Sequence, residues 1–308
     1  MRTQQFAFSG FGDRQLASRL WLPEGKVKGI LQIVHGMTEH MGRYENLAEA
    51  LLPQGIVVAG FDLRGHGGNP GDPNVASLGE GGWEATLEDM RLFYQWLGQR
   101  FPGVQRYLYG FSLGSFLVRE YLDRYPEGIA GAVIVGTGHQ PGWLLGIMRG
   151  IVAGQVKQAG FDKTTDLVRQ LSFGAYNQKF KPNRTDADWL CGDAAALNAY
   201  LADPLVRKDI SAGLFWELLG AMQRTGRADA CRNWKKDMPI LLAYGDRDPV
   251  GDFGKGVQRV YRQMQNAGMT HITFQQYCNA RHDLLHEQAG GTAELVCHGI
   301  ADWLAELI

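Results

Sequence analysis

The feature that most constrains the fold is an alternation of two kinds of segment. VKGILQIVHG (27–36), IVVAGFD (56–62) and the runs at 106–111, 130–136 and 239–245 are short, nearly unbroken apolar stretches. A segment that short can be apolar throughout only where both its faces are buried, as in a parallel sheet covered on two sides. Segments with helical spacing lie between them, at 43–55, 83–100, 113–125, 252–267 and 288–307. This grammar predicts a mostly parallel central sheet with helices on both faces, an α/β fold. Two more strands, near 3–8 and 15–22, open the chain around a Gly-Phe-Gly-Asp turn, and another follows at 270–277.

The alternation breaks once. Residues 139–237 carry glycine-rich, aromatic-bearing, mainly helical segments and no run with the character of a core strand. The simplest organisation is one α/β domain from 1–138 and 238–308, with 139–237 inserted as a helical lid. Such an insertion sits over the carboxyl edge of the sheet, where ligands of open α/β sheets bind. The 308 residues suit that plan. Their 31 basic and 32 acidic side chains leave a net charge of −1, which removes the electrostatic case for nucleic acid as a partner. Four separated cysteines without a CxxC pair argue against a disulfide framework and for a reducing compartment. The N-terminal stretch lacks an apolar signal core and no window spans a bilayer, so a cytoplasmic protein is expected, free to rest against a membrane surface.

Gly110-Phe111-Ser112-Leu113-Gly114 is the strongest chemical motif. By composition about 0.1 chance GxSxG matches are expected in such a chain, so the pattern alone is only moderately specific. Its context sharpens it: a buried strand, RYLYGF, precedes it and helical LGSFLVREYLDRY follows. At such a strand-to-helix turn a strained serine stands above the sheet edge, with flanking glycines admitting close approach. The plain alternative is an ordinary glycine-rich turn. A serine hydroxyl needs a base. His282, in the loop after the strand ending near Tyr277, is the best placed. His286 suits packing or a cap, and His271 and His298 have weaker claims. The base needs an acid to fix its tautomer. Asp246, Asp248 and Asp252 all follow a buried strand, and Pro249 and Gly251 make Asp248 the most rigidly held; Asp246 is the rival, and any one loop aspartate could equally serve a turn. An oxyanion hole would take one backbone N–H from Leu113 and a second from Met37 in His35-Gly36-Met37.

HGMTEHMGRY (35–44), FDLRGHG (61–67), GFSLG (110–114), GDRDPVG (245–251) and ARHDLLHE (280–287) together resemble the monoacylglycerol lipase and lysophospholipase branch of the α/β-hydrolase superfamily. NRTDADWLCGD…YLADPL (183–205) is similar to the lid of bacterial lysophospholipases. The resemblance implies an α/β-hydrolase fold, the chain order Ser112…Asp248…His282, and the acid on the last residue of GDRD. The HGxxEHxxRY element separates this branch from proline iminopeptidases, whose loop reads HGGPG. The chain departs from the common GHSMG at Phe111 and Leu113, positions that vary. Glu39, His40, Arg43 and Tyr44 match a family motif and are assigned to loop structure.

The expected reaction is hydrolysis of a carboxylic ester through an acyl-enzyme, with neither metal nor organic cofactor. Trp143, Leu144, Ile147 and Met148 in PGWLLGIMRGIVAG (141–154), with Trp189, Phe215 and Trp216, are candidates for an apolar rim that takes acyl chains of glycerides or lysophospholipids and touches a membrane. The competing expectation is a helix whose apolar stripe packs on the core. Alternatives are a carboxylesterase or acyltransferase acting on a smaller ester, a non-catalytic ligand-binding protein of the same fold, and a zinc hydrolase using His282 and His286 in HDLLH, for which no third ligand is evident.

Overall fold

The computed structural model describes residues 2–308. In chain order come β1 (Arg2–Ser9), β2 (Gln15–Leu22), β3 (Gly29–Val34), α1 (Glu45–Leu51), β4 (Ile56–Phe61), β5 (Val75–Ala76), α2 (Gly82–Arg100), β6 (Gln105–Phe111), α3 (Leu113–Arg124) and β7 (Ile129–Val135). The insertion holds α4 (Gly142–Ala159), the short α5 (Asp166–Arg169) and α6 (Ala175–Asn177), α7 (Ala194–Ala202), β8 (Asp209–Ile210) and α8 (Ala212–Thr225). The chain closes with β9 (Ile240–Gly245), α9 (Lys255–Asn266), β10 (Ile272–Tyr277) and α10 (Thr292–Ala305).

Eight strands form one sheet in the order β1-β2-β4-β3-β6-β7-β9-β10. β2 runs antiparallel to both its neighbours and the remaining pairs are parallel. Side chains alternate between two cores, as the pleat requires. Ile30, Val34, Leu108, Ile240 and Leu242 join the core under α2, α3, α8 and α9, whereas Leu31, Ile33, Tyr109, Leu241 and Ala243 join the one under α1 and α10. The apolar runs are unbroken because each strand feeds both.

β3 pairs with β4 on one side and β6 on the other. The chain leaves β3 and β6 in opposite directions, which opens a crevice at their carboxyl ends, the usual binding place in such sheets.

The insertion contributes no strand to this sheet; its two-residue β8 pairs in parallel with β5 alone. It is fastened at several points. α8 buries Leu214, Phe215, Leu218 and Leu219 in the core over α3. The 188–192 segment is stitched to the loop after β10: Asp283 N–H donates to Leu190 O at 2.8 Å and Gly192 N–H to Glu287 Oε2 at 2.8 Å. α7 and its exit reach the loop after β3, where Arg207 N–H donates to Thr38 O at 2.8 Å and His40 Nε2 meets Asp203 Oδ2 at 2.8 Å. α4 is two-sided: Leu145 and Val152 are buried, while Trp143, Ile147 and Ile151 face outward with 70%, 56% and 45% exposure. The helix thus packs one apolar stripe on the core, as expected, and leaves a second apolar stripe exposed.

Candidate active site

Ser112 stands between β6 and α3 with φ 52° and ψ −116°, a strained backbone for a residue with a side chain. The flanking glycines have a steric reason. A Cβ on Gly114 would lie 1.9 Å from the Val34 carbonyl oxygen, and one on Gly110 would lie 2.5 Å from that of Gly114. Only glycine lets β6 and α3 fold back this tightly. Ser112 N–H donates to Val135 O at 3.0 Å, and Ser115 Oγ donates to Ser112 O at 2.6 Å, which pins the turn from both sides.

The loops after β9 and β10 bring two further side chains together. His282 Nδ1 lies 2.9 Å from Asp248 Oδ2, and both residues are buried. Asp248 Oδ1 accepts the Val250 N–H at 2.8 Å, so its second oxygen is committed to the turn. A carboxylate at Nδ1 holds the ring proton there and leaves the lone pair on Nε2. That Nε2 is buried and has no hydrogen-bond partner among the described residues. The neighbouring acids do not pair with His282: Asp252 pairs with Arg259 at 3.5 Å, and Asp246 Oδ1 is unpartnered among the described residues. His286 Nδ1 turns to Asp283 Oδ1 at 2.8 Å.

His35 is buried and neutral, its pKa lowered to about 4 by loss of hydration. Its Nε2 accepts the Leu63 N–H at 2.8 Å while Nδ1 faces Gly36 O at 2.7 Å, tying the loop after β3 to the loop after β4. Gly36 N–H donates to Glu39 Oε1 at 2.7 Å. Leu113 is the first residue of α3, so its N–H has no intrahelical acceptor. The N–H of Met37 donates to no loop or side-chain acceptor among the described residues.

One cavity joins these groups. Met37, Phe111, Phe173, Trp189 and Leu190 supply its apolar wall; Thr38, Glu39, Tyr200 and Asp283, which cluster about Arg43, supply a polar end; Ser112 and His282 complete the lining. It is tight, with a volume of about 20 Å³. Trp189 leans over His282 with ring centres 5.1 Å apart, and Phe111 flanks the imidazole at 4.8 Å. Phe173 and Tyr176 pack behind Trp189 at 5.6 and 5.2 Å.

Of the seven apolar rim candidates, Trp189 alone lines this cavity. Trp143 and Ile147 are on the outer face of α4, and Leu144 is half-buried. Met148 packs against the main core, where Phe215 is buried, and Trp216 lies beneath the Arg149 guanidinium at 4.0 Å. Phe173, Tyr200 and Asp283 line the cavity without having been singled out from sequence. Several of their partners are distant in the chain: Tyr200 meets Thr38 and Asp283 meets Arg43, although Asp283 also pairs locally with His286.

This strand order, with a strained serine at the β6–α3 turn, defines an α/β-hydrolase fold. Residues 25–289 match the family described as serine aminopeptidase, S33, and the chain belongs to that family. It is 28% identical over 292 residues to a human monoglyceride lipase, covering 94% of this chain and 87% of that one. A monoacylglycerol lipase of Mycolicibacterium smegmatis is 26% identical over 249 residues, 79% of each chain. Among solved structures, a thermostable carboxyl esterase from Bacillus coagulans superposes with a TM-score of 0.87 at 21% identity, covering 100% of this chain and 99% of that one.

Proposed function

We propose that the chain is a serine hydrolase that cleaves monoacylglycerol-type carboxylic esters through an acyl-enzyme. The observation that carries this reading is the imidazole of His282, held at Nδ1 by Asp248, whose Nε2 has no hydrogen-bond partner among the described residues, in a cavity that Ser112 also lines. Ser112 Oγ attacks the ester carbonyl and gives its proton to His282 Nε2; the N–H groups of Met37 and Leu113 receive the oxyanion. His282 then protonates the leaving alcohol and deprotonates the water that releases the acid. Asp248 stabilises the imidazolium that forms.

The cavity supports an amphiphilic substrate. Its apolar wall suits an acyl chain and its polar end a hydroxyl-bearing alcohol. An amine substrate fits less well. Both carboxylates at the polar end, Glu39 and Asp283, are already bound by Arg43, at 3.0 and 2.6 Å, which leaves no free anion for an ammonium group. The relatives named as monoacylglycerol lipases point the same way.

Residues 139–237 serve as the lid in this reading. They supply Phe173, Trp189, Leu190 and Tyr200 to the lining of the cavity. The outward stripe of Trp143, Ile147 and Ile151 supplies peripheral contact with a lipid surface. No helix among the described residues is long and apolar enough to cross a membrane.

Two measurements test the proposal. Wild-type protein should hydrolyse p-nitrophenyl esters and be labelled by a fluorophosphonate at Ser112, and Ser112→Ala should abolish both. Medium- and long-chain monoacylglycerols should be turned over faster than acetyl esters. Retained turnover in pure Ser112→Ala protein would overturn the mechanism, and an acetyl preference would overturn the substrate class.

A further inference from the structure

Glu39, Arg43 and Asp283 form a charged cluster whose side chains are only 5%, 9% and 6% exposed. Burying one guanidinium between two carboxylates is a poor way to gain stability, because desolvation offsets most of the attraction. Its geometry points to another role. Arg43 Nε donates to Glu39 Oε2 at 3.0 Å, and Nη2 donates to Asp283 Oδ2 at 2.6 Å.

Each carboxylate is tied to a different half of the site. Glu39 Oε1 accepts both the Gly36 N–H and the Tyr44 hydroxyl at 2.7 Å, which sets the loop carrying the Met37 N–H. Asp283 follows His282 in the chain, and its own N–H is anchored on Leu190. Its carboxylate also takes His286. Burial alone would raise the Asp283 carboxyl, but His286 and Arg43 outweigh burial and keep it ionised well below its ordinary value. The guanidinium also covers the Tyr200 ring at 4.8 Å, and the Tyr200 hydroxyl contacts Thr38 Oγ1 at 2.7 Å. Three separate stretches of chain therefore converge on one side chain.

We propose that Arg43 is a positioning residue of the ester reaction, holding the oxyanion loop through Glu39 in register with the His282 loop through Asp283. The inference rests on the serine-hydrolase reading. Arg43 touches no reacting atom; it sets the distance between the group that receives the oxyanion and the group that moves the proton. A planar guanidinium reaches both carboxylates from fixed, divergent N–H groups, which a single ammonium nitrogen cannot reproduce. A displacement of about 1 Å between such groups lowers turnover by about 100-fold.

The test compares wild type, Arg43→Lys and Arg43→Met as full chains whose folding is verified by circular dichroism and thermal melting. Kinetics on p-nitrophenyl butyrate are set beside inhibition by an alkyl trifluoromethyl ketone, which forms a tetrahedral adduct on serine. Both variants should lose about 10- to 100-fold in kcat with KM within about threefold, and ketone affinity should fall in parallel with kcat/KM. A merely structural arginine would leave the ketone affinity of the folded fraction unchanged. Folded variants with kcat within about twofold of wild type overturn the proposal, as does a loss of kcat at constant ketone affinity. Should Arg43→Met not fold, Arg43→Lys is judged alone on the same two criteria. Failure of the underlying reading looks different: wild-type protein itself would neither turn over the ester nor accept a fluorophosphonate.

Discussion

The Asp248 carboxylate meets His282 Nδ1 at 2.9 Å with the two residues 0% and 1% exposed. At that burial the contact decides which ring nitrogen carries the proton. Asp248→Asn preserves size but presents an amide that donates to Nδ1, moving the proton to Nε2, where the mechanism needs a lone pair. The expected result is a fall in kcat of about 1,000- to 10,000-fold for p-nitrophenyl butyrate. Asp246→Asn, altering an acid that makes no hydrogen bond to His282, should stay within about threefold of wild type. Equal losses in both variants would contradict the assignment of the acid.

Gly136 tests how closely the imidazole is packed. It has φ +60°, and a Cβ there would lie 2.9 Å from His282 Cε1 and 3.0 Å from the Phe111 ring. Gly136→Ala should cost about 1–2 kcal/mol for the left-handed backbone alone, read as a lowered thermal midpoint. Displacement of the ring should also lower kcat by about 10- to 100-fold, beyond any loss of folded protein. A destabilised variant with unchanged kcat would show that the ring tolerates the contact.

Trp189 makes a separate claim on specificity. It forms the wall against the His282 face, backed by Phe173 and Tyr176. Trp189→Ala opens that wall, so the preferred acyl chain should lengthen or broaden across a C2–C12 ester series. Loss of the ring that packs against His282 should also lower kcat on the best wild-type substrate by about 10-fold. An unaltered chain-length profile would place the acyl group elsewhere.

The fold was legible because each core strand feeds two cores, so its apolar run is unbroken, and because steric need fixes glycine around Ser112. His282 and Asp248, singled out from their places after β10 and β9, are paired in the structure. What stayed hidden depends on contacts between distant residues. Asp283 lies 240 positions from Arg43, and no local pattern announces that pair. Arg43 was accordingly assigned to loop structure alone. α4 has apolar residues on both faces, so a one-dimensional stripe could not say that Trp143 and Ile147 look outward while Met148 looks in. The two-residue β8 is too short to carry a pattern.

Glu217 provides a pH-dependent prediction. It lies on α8, buried near Trp83 of α2, with Arg224 on its own helix, Glu84 on α2 and Arg149 on α4 as the charged groups around it. Its Oε2 has no partner among the described residues, and burial raises its pKa from 4.5 to about 7. Between those two values the folded protein holds a proton that the unfolded chain has released. Stability must then fall as pH rises through this window and level off above about 7. Glu217→Gln removes the titration while keeping the shape. Thermal melts should show the variant and wild type alike near pH 4.5, diverging until the variant is more stable by about 3 kcal/mol at pH 8, a gain of several degrees. Parallel stability curves across that range would show that Glu217 is hydrated or paired well enough to ionise normally.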